Sequence, residues 1–448
     1  MSFRRIIAVD FFWTRDKDPR IPLGHASLVT ALKQWTAVET RQVIIPVNAT
    51  DRSVNEIASL ILSHRGNCRD ADVDIAIGAY VWAETLLQEL LPALRRRGFT
   101  GRIVMGGPQI SYQESGLEEF YPDVDVFIRG YGEGALCQLA ESVDSPQIQG
   151  VHYAGEEDRG EQAFVDFREL PSLFLTGTIS LEQQRFIRWE TQRGCTHRCG
   201  FCQHREAGAR LPHRSFSRER LMREIELFCE AEVQEIAVLD PIFNTGKHAV
   251  AVLEKFVALR FEGRLSLQCR AEAITDSFLD AAEQLDVCLE FGLQTIHQAE
   301  QDAVRRNNHM PKVEKVLADV RRRKIDHEVS IIFGLPEQTL GTFIETVQWC
   351  LDQKIPVIKA FPLMLLRGTP LERDRQTWGL ITDGHKMPKV IASNSFTHNQ
   401  WRTMDRVSNA LKATEGAHPT GVLSLLTYAE SLSTDATRWQ PIETKEAV

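Results

Sequence analysis

The sequence predicts an α/β protein: a doubly wound parallel sheet, then a partial (β/α)6 barrel, then a small, mostly helical C-terminal region. Three observations carry that prediction. Short apolar runs alternate with helical patterns along most of the chain, as in parallel strands joined by crossover helices. The alternation stops between residues 151 and 185 and then starts again, which divides the chain into two α/β series. The 448 residues also exceed what one hydrophobic core usually serves.

The first series fills residues 1–150. Its strands are read at Ile6–Asp10, Val43–Val47, Asp74–Gly78, Arg102–Met105 and Val126–Arg129. Helices are read from Leu23 to about Trp35, from Asp51 to about Ser63 and from Glu84 to Arg97. Five such strands make a Rossmann-like domain, which binds ligands at the carboxyl ends of its strands. Those ends carry Gly78, Gly106-Gly107-Pro108 and Gly130-Tyr131-Gly132-Glu133. Glycine there lets backbone approach a bulky ligand closely. Tyr80 and Trp82 follow the third strand and read either as ligand contacts or as core aromatics. Residues 151–185 read as a linker with a short hairpin.

The second series covers residues 186–371. Its strands are read at Phe186–Thr191, Glu235–Asp240, Ser266–Arg270, Cys288–Leu293, Glu328–Phe333 and Val357–Leu363. Helical patterns include Arg218–Cys229, Ala249–Arg260 and Leu340–Leu351. Six βα units make a partial barrel, with active groups expected at the C-terminal strand ends. Residues 372–448 read as a cap, with a helix over His398–Ala413 started by Thr397 or Asn394 and a frayed end at Lys445–Val448.

Composition removes several function classes. Hydrophobic residues at 43% and charged residues at 25% describe a globular chain, not a disordered one. A net charge of −9 argues against a nucleic-acid binder that works through a basic field. No apolar run reaches about 18 residues, so no membrane span is expected. The opening apolar run is too brief for a signal peptide, and a cytoplasmic location is the expectation. Nine cysteines, an odd number, do not suit a disulfide framework. Cys68, Cys137, Cys229, Cys269, Cys288 and Cys350 sit in apolar patterns and read as core thiols.

The other three cysteines carry the chemistry. Cys195, Cys199 and Cys202 form a C-x3-C-x2-C loop just after the first barrel strand. Three thiolates so placed can ligate three irons of a cubane and leave the fourth open to an outside ligand. A zinc site is the alternative, with His197 or His204 as the fourth ligand.

With Phe201 before its last cysteine and Glu190-Thr191-Gln192-Arg193-Gly194 ahead of it, this loop resembles that of the radical S-adenosylmethionine (SAM) superfamily. Asp240–Asn244, Phe291–Thr295, Phe333–Pro336 and Arg367–Leu371 agree with that barrel. Pro22-Leu23-Gly24, Met105–Pro108 and Arg129–Gly134 resemble the cobalamin-binding domain that precedes the barrel in one subclass. Taken together, the chain resembles the cobalamin-dependent radical SAM methyltransferases.

The resemblance implies a [4Fe-4S] cluster on Cys195, Cys199 and Cys202. It implies SAM contacts among Asp240, Asn244, Arg270, Glu272, Gln294 and Thr295. Cobalamin contacts are implied among Leu23, Gly24, Tyr80, Trp82, Gly106, Gly107, Pro108, Gly130, Gly132 and Glu133. The implied reaction cleaves SAM reductively to a 5′-deoxyadenosyl radical, activates a substrate carbon and moves a methyl group from methylcobalamin. It further implies a small-molecule or peptide substrate and an external electron donor such as flavodoxin or ferredoxin. The D-x-H-x-x-G signature of a cobalt-ligating histidine is absent, since no Asp stands two positions before His25. The loop from Arg15 to Leu23 is therefore expected to approach the lower face of the corrin. Two other readings stand beside this one: a rearrangement or cyclisation on the same architecture, and a cobalamin- or SAM-binding sensor without turnover. Residue by residue, Asn244 also reads as a helix cap, and Arg270 with Glu272 as a structural ion pair.

Overall fold

The structure, a computed structural model, describes residues 4–19, 21–142, 144–182, 184–204, 214–385 and 387–434. The frayed end expected at Lys445–Val448 lies outside them. The N-terminal half runs β1 (Arg5–Phe12), α1 (Leu23–Trp35), β2 (Glu39–Pro46), α2 (Val54–Ser63), β3 (Val73–Gly78), α3 (Glu84–Arg96) and β4 (Arg102–Gly106). It continues with α4 (Pro108–Ser111), α5 (Leu117–Phe120), β5 (Val126–Ile128), α6 (Glu133–Glu141) and β6 (Val151–Tyr153). The strand order is β2-β1-β3-β4-β5-β6, parallel throughout except for β6.

Both faces of this sheet are apolar because helices cover both. Ile7, Val9 and Phe11 pack toward α2 and α3, while Ile6 packs toward α1 and α6. β2 begins four residues before its apolar run. It is an edge strand, so Glu39 and Arg41 extend the ladder with their side chains in water. Residues 151–185 do not form the expected hairpin. Val151–Tyr153 instead pairs antiparallel with β5 and closes the sheet edge, and Ala163 bridges to Gly130.

The second half runs β7 (Phe186–Trp189), α7 (Arg218–Glu230), β8 (Glu235–Val238), α8 (Ala249–Ala258), β9 (Arg264–Cys269), α9 (Asp276–Ala282) and β10 (Val287–Gln294). It continues with α10 (Gln298–Ala303), α11 (Met310–Arg322), β11 (Asp326–Phe333), α12 (Leu340–Asp352) and β12 (Val357–Pro362). These six strands are parallel and lie in sequence order, with β7 and β12 as the two edges, so the barrel is partial. β10 shows why the pattern works: Val287, Leu289, Phe291 and Leu293 are buried on one face, and the alternate residues Cys288, Glu290 and Gln294 lie on the other.

The cap begins with α13 (Pro370–Arg373) and the short hairpin β13 (Ile381–Thr382) and β14 (Val390–Ala392), then α14 (His398–Ala413) and α15 (Val422–Thr434). Of the two candidate caps it is Thr397 that starts α14, in a capping box with Gln400. Ser408 on α14 donates to the carbonyl of Ala360 on β12 at 2.7 Å, which seats the cap on the barrel edge. Of the six scattered cysteines, Cys137, Cys269 and Cys350 are buried, and Cys68, Cys229 and Cys288 are half-buried.

The halves meet tightly after β12. Arg367 donates to the hydroxyl of Tyr121 at 3.0 Å, pairs with Glu84 at 3.3 Å and stacks on Phe120. Its neighbour Gly368 has φ +66°, and a Cβ there would overlap the carbonyl oxygen of Tyr112. Gly98 has φ +84° with nothing near its missing Cβ. Gly368→Ala is expected to lower stability by about 1–3 kcal/mol, more than Gly98→Ala, because it adds overlap to backbone strain. Equal thermal shifts for the two variants would show that the contact with Tyr112 is not tight.

Candidate active site

One cavity of about 500 Å³ joins the two halves. It starts at the point where the N-terminal sheet reverses direction, between β1 and β3, where open α/β sheets bind ligands. There it forms a slot between the sheet and helices α1 and α6. Ala8, Ala76 and Val104 line its sheet side, and Leu28 and Leu136 its helix side. Small residues on three adjacent strands leave room that larger ones would fill. The far wall belongs to the barrel: Gln192, Arg193, Gly194, Gln203 and His204 of the cysteine loop, with Leu239 and Pro241 after β8.

Most of the N-terminal candidates line this cavity: Gly24, Tyr80, Gly106, Gly107, Pro108, Gly130, Gly132 and Glu133. Two of the glycines are there for a different reason from ligand approach. Gly107 and Gly130 have φ of +102° and +81°, and a Cβ would come within 2.8 Å of Ala79 and 2.5 Å of Ala163 backbone oxygens. They let two chain segments cross beneath the cavity. Trp82 does not line it. Its ring stacks on Tyr80 with centroids 4.8 Å apart, and its indole N–H donates to the Phe11 carbonyl at 2.7 Å. It therefore backs Tyr80.

Leu23 also turns away from the cavity and packs against the barrel core. The loop expected beneath a corrin does the same. Lys17 pairs with Glu235 at 2.7 Å and Asp18 with Arg188 at 2.8 Å, so this loop straps β7 and β8. Arg20 lies outside the described residues. The first turns of α1 line the cavity instead, through Gly24, His25 and Leu28. His25 faces Gln42 at 3.1 Å, and burial lowers its pKa to about 4, so it is neutral at physiological pH.

Two buried acids matter here. Glu133 accepts from Ser27 at 2.6 Å and from Arg193 at 2.5 Å. Burial works against its charge, but Arg193 and Ser27 outweigh it and hold the carboxyl below the usual range. Arg193 also pairs with Glu190 at 2.9 Å, and the rings of Tyr131, Phe167 and Phe216 surround its guanidinium. The cysteine loop is thus tied directly to α1 and α6. Asp10, at the end of β1, is the contrasting case. It is 3% exposed, its Oδ1 has no partner among the described residues, and burial pushes it up to about 7.

In the loop itself each sulfur receives an N–H. The backbone N–H of His197 points to Cys195 at 3.4 Å, that of His204 to Cys202 at 3.3 Å, and the Arg306 guanidinium to Cys199 at 3.8 Å. Such donors favour thiolate over thiol. At Cys195 burial outweighs the His197 N–H, and the thiol is raised above its usual value. Among the described residues no three His, Cys, Asp or Glu side chains converge on one point, as a single-ion site requires. A cubane needs no such convergence, because each thiolate takes its own iron.

The barrel candidates divide. Asp240 is fully buried and spends its carboxylate on the backbone N–H groups of Thr191 and Gln192, at 2.8 and 3.2 Å, and on the Thr191 hydroxyl. It shapes the entry to the cysteine loop rather than facing a ligand, and burial pushes it up to about 7 despite these donors. Asn244 caps no helix. It holds the backbone N–H and C=O of Arg270, each at 2.9 Å, and so staples two strand ends. Thr295 is buried on Glu300 at 2.5 Å. Arg270 and Glu272 do form an ion pair at 3.2 Å. Gln294 holds a left-handed φ of +71°. The sequence reading assigned no role to Arg306, which only the fold brings beside Cys199.

Residues 189–350 match the radical SAM superfamily. Over 346 residues, 70% of its length, the chain is 25% identical to the cobalamin-dependent radical SAM methyltransferase TokK of Streptomyces tokunonensis, covering 50% of that protein. Over 192 residues, 39% of its length, it is 32% identical to a 2-(S-pantetheinyl)-carbapenam-3-carboxylate methyltransferase of Streptantibioticus cattleyicolor, covering 28% of it. The chain therefore spans half or less of the length of these curated relatives. Its fold matches the radical SAM methyltransferase TsrM of Kitasatospora setae, solved with cobalamin and a [4Fe-4S] cluster, at TM-score 0.67 and 18% identity over 86% of this chain and 78% of that one. It also matches OxsB, solved with aqua-cobalamin and SAM, at TM-score 0.66 and 16% identity over 96% of this chain and 71% of that one.

Residues 189–350 form a radical SAM domain.

Arg193 ties this domain's cysteine loop to helices α1 and α6. Arg193→Met leaves Glu133 buried without its counter-ion and is expected to cost about 3–5 kcal/mol in chemical denaturation. Glu133→Gln in the same chain should restore most of that loss. A single variant as stable as the wild type would remove the ion pair from the account. The two raised acids give the pH behaviour. A carboxyl whose folded pKa lies above its unfolded value of 3.8 contributes stability that is fully present below that value and is lost as pH rises through about 7. Apo-protein stability is therefore expected to fall between those limits, and Asp10→Asn should flatten part of the slope.

Proposed function

We propose that the chain is a cobalamin-dependent radical SAM methyltransferase that methylates a carbon of a small molecule. The observation that supports it most is a single cavity walled by strand ends of a doubly wound sheet on one side and by the cysteine loop on the other. When bound, the cluster supplies the electron that cleaves SAM, and the cobalamin carries the methyl group. Cys195, Cys199 and Cys202 hold the cluster, with the N–H of His197, the N–H of His204 and Arg306 stabilising their negative charge. Gly24, Tyr80, Gly106, Gly132 and the slot between sheet and helices receive the corrinoid. Arg193, Glu133 and Ser27 tie the loop that would hold the cluster to the helices that would wall the corrinoid. Leu239, Pro241 and Tyr131 line the space between the two walls.

Residues 1–150 then serve as the cobalamin domain, 186–371 as the catalytic barrel and 372–448 as the cap that helps to choose the substrate. The relative that acts on a carbapenam carboxylate supports a small metabolite over a peptide. An external donor such as flavodoxin or ferredoxin supplies the electron, and the reaction belongs in the cytoplasm.

Anaerobic reconstitution with iron, sulfide and cobalamin tests the reading. The expected product pair is S-adenosylhomocysteine and 5′-deoxyadenosine, because methylation with SAM as methyl source yields both. Cys195→Ala, Cys199→Ala and Cys202→Ala combined should abolish 5′-deoxyadenosine and the cluster EPR signal while the cobalamin absorption bands remain. Continued reductive cleavage of SAM by that variant would sink the proposal.

A further inference from the structure

The cysteine loop also meets the outside of the molecule. A cavity of about 170 Å³ opens onto Cys195 and is lined by Thr196, Arg214, Ser215, Thr245 and Lys247. Its described lining residues all belong to the second half, unlike those of the larger cavity. Thr196, Thr245 and Lys247 are exposed and Cys195 is half-buried, so a sulfur of the loop lies close to solvent there. Two backbone contacts fix the rim. The Arg193 N–H donates to the Arg214 carbonyl at 3.0 Å, and Ser215 bridges to Gln192. The rim is basic. Residues 195–220 carry six arginines against two glutamates, in a chain of net charge −9. Arg220 is spent on the buried Glu224 at 2.9 Å. Arg198 and Arg218 are exposed, and Lys247 joins them from the turn before α8. Arg218 and Lys247 stand near each other, since both act on His248: burial first, then these two charges, lowers its pKa. Residues 205–213 lie outside the described structure, and in sequence their Arg205 and Arg210 outnumber Glu206.

Resting on the radical SAM reading above, we propose that this rim, through Lys247 and Arg218, is the docking surface for a small acidic one-electron carrier protein that reduces the cluster. Electrons cross protein quickly only over short distances, so the carrier must sit where a cluster ligand comes near the surface, as Cys195 does. A cluster of cations on an otherwise acidic chain draws an acidic partner and orients it as it arrives. The encounter must also be brief, because the carrier leaves to be reduced again. A charged rim around a small polar cavity suits such a contact better than an apolar face does. The balance of the step is simple. The carrier loses one electron, the cluster on the three cysteines gains it, and no bond or proton moves.

The test uses the full-length protein with its cluster reconstituted anaerobically, and an acidic flavodoxin as the probe. Two quantities are read. Calorimetry gives the dissociation constant for oxidised flavodoxin, and cluster absorbance gives the rate of reduction by subsaturating reduced flavodoxin. Wild-type affinity should fall as salt rises. Lys247→Glu combined with Arg218→Glu should weaken binding and slow reduction, each about tenfold or more. Reduction by photoexcited deazaflavin, a small molecule that needs no docking, should be unchanged in that variant. The same double reversal on the cap, Arg406→Glu with Lys412→Glu on α14, should change neither quantity. Equal losses from the two double variants mean an effect of net charge alone and overturn the proposal, as does no loss from the first. Weaker binding with an unchanged rate of reduction assigns the rim to some other acidic protein and overturns it too. A wild type that assembles no reducible cluster overturns the radical SAM reading and the proposal with it. A wild-type cluster that deazaflavin reduces, but that flavodoxin does not, overturns the proposal alone.

Discussion

The contact on which the architecture turns is the buried pair between Arg193 and Glu133. It joins the loop that carries the three cysteines to the helix that walls the slot. A guanidinium is a sensible choice for that position. Its planar fork reaches Glu133, Glu190 and Ser27 at once, and its faces rest among three aromatic rings. Such a pair contributes little net stability compared with a well-packed apolar contact. What it contributes is registration. Only one placement of the loop against α6 satisfies every partner, so the two halves of the cavity are held at a defined separation before any ligand arrives.

Asp240 does similar work inside the barrel. Its carboxylate collects two backbone N–H groups and a hydroxyl at the end of β7, where the chain leaves the strand for the cysteines. Asn244 staples the ends of two further strands. Residues that looked like ligand contacts are thus part of the frame that presents the contacts. Donors to the three sulfurs include two backbone N–H groups and Arg306.

Strands and helices were largely legible in the sequence because their periodicities are local. Ile6–Asp10, Glu328–Phe333 and the helix over His398–Ala413 announce themselves in a few residues. The third and fourth strand ends of the sheet were legible as cavity lining for the same reason: glycine follows an apolar run. What did not show was any property created by distant parts of the chain. β6 is too short and too polar in its surroundings to stand out, and only its pairing with β5 defines it. Arg306 lies more than a hundred residues from the sulfur it faces. The loop at Arg15–Asp18 reads as free polar chain until Glu235 and Arg188 are brought beneath it. Asp10 did carry a signal, an acid in an otherwise apolar buried strand, but its meaning depends on the slot that faces it.

The shape of the cavity has a further consequence. The slot is bounded by the sheet on one side and by α1 and α6 on the other, and its open end faces the barrel. A molecule seated deep in it would lie against the strand ends and reach toward the cysteine loop. Because both halves line one cavity, residence time in the slot becomes a property of the barrel as much as of the sheet.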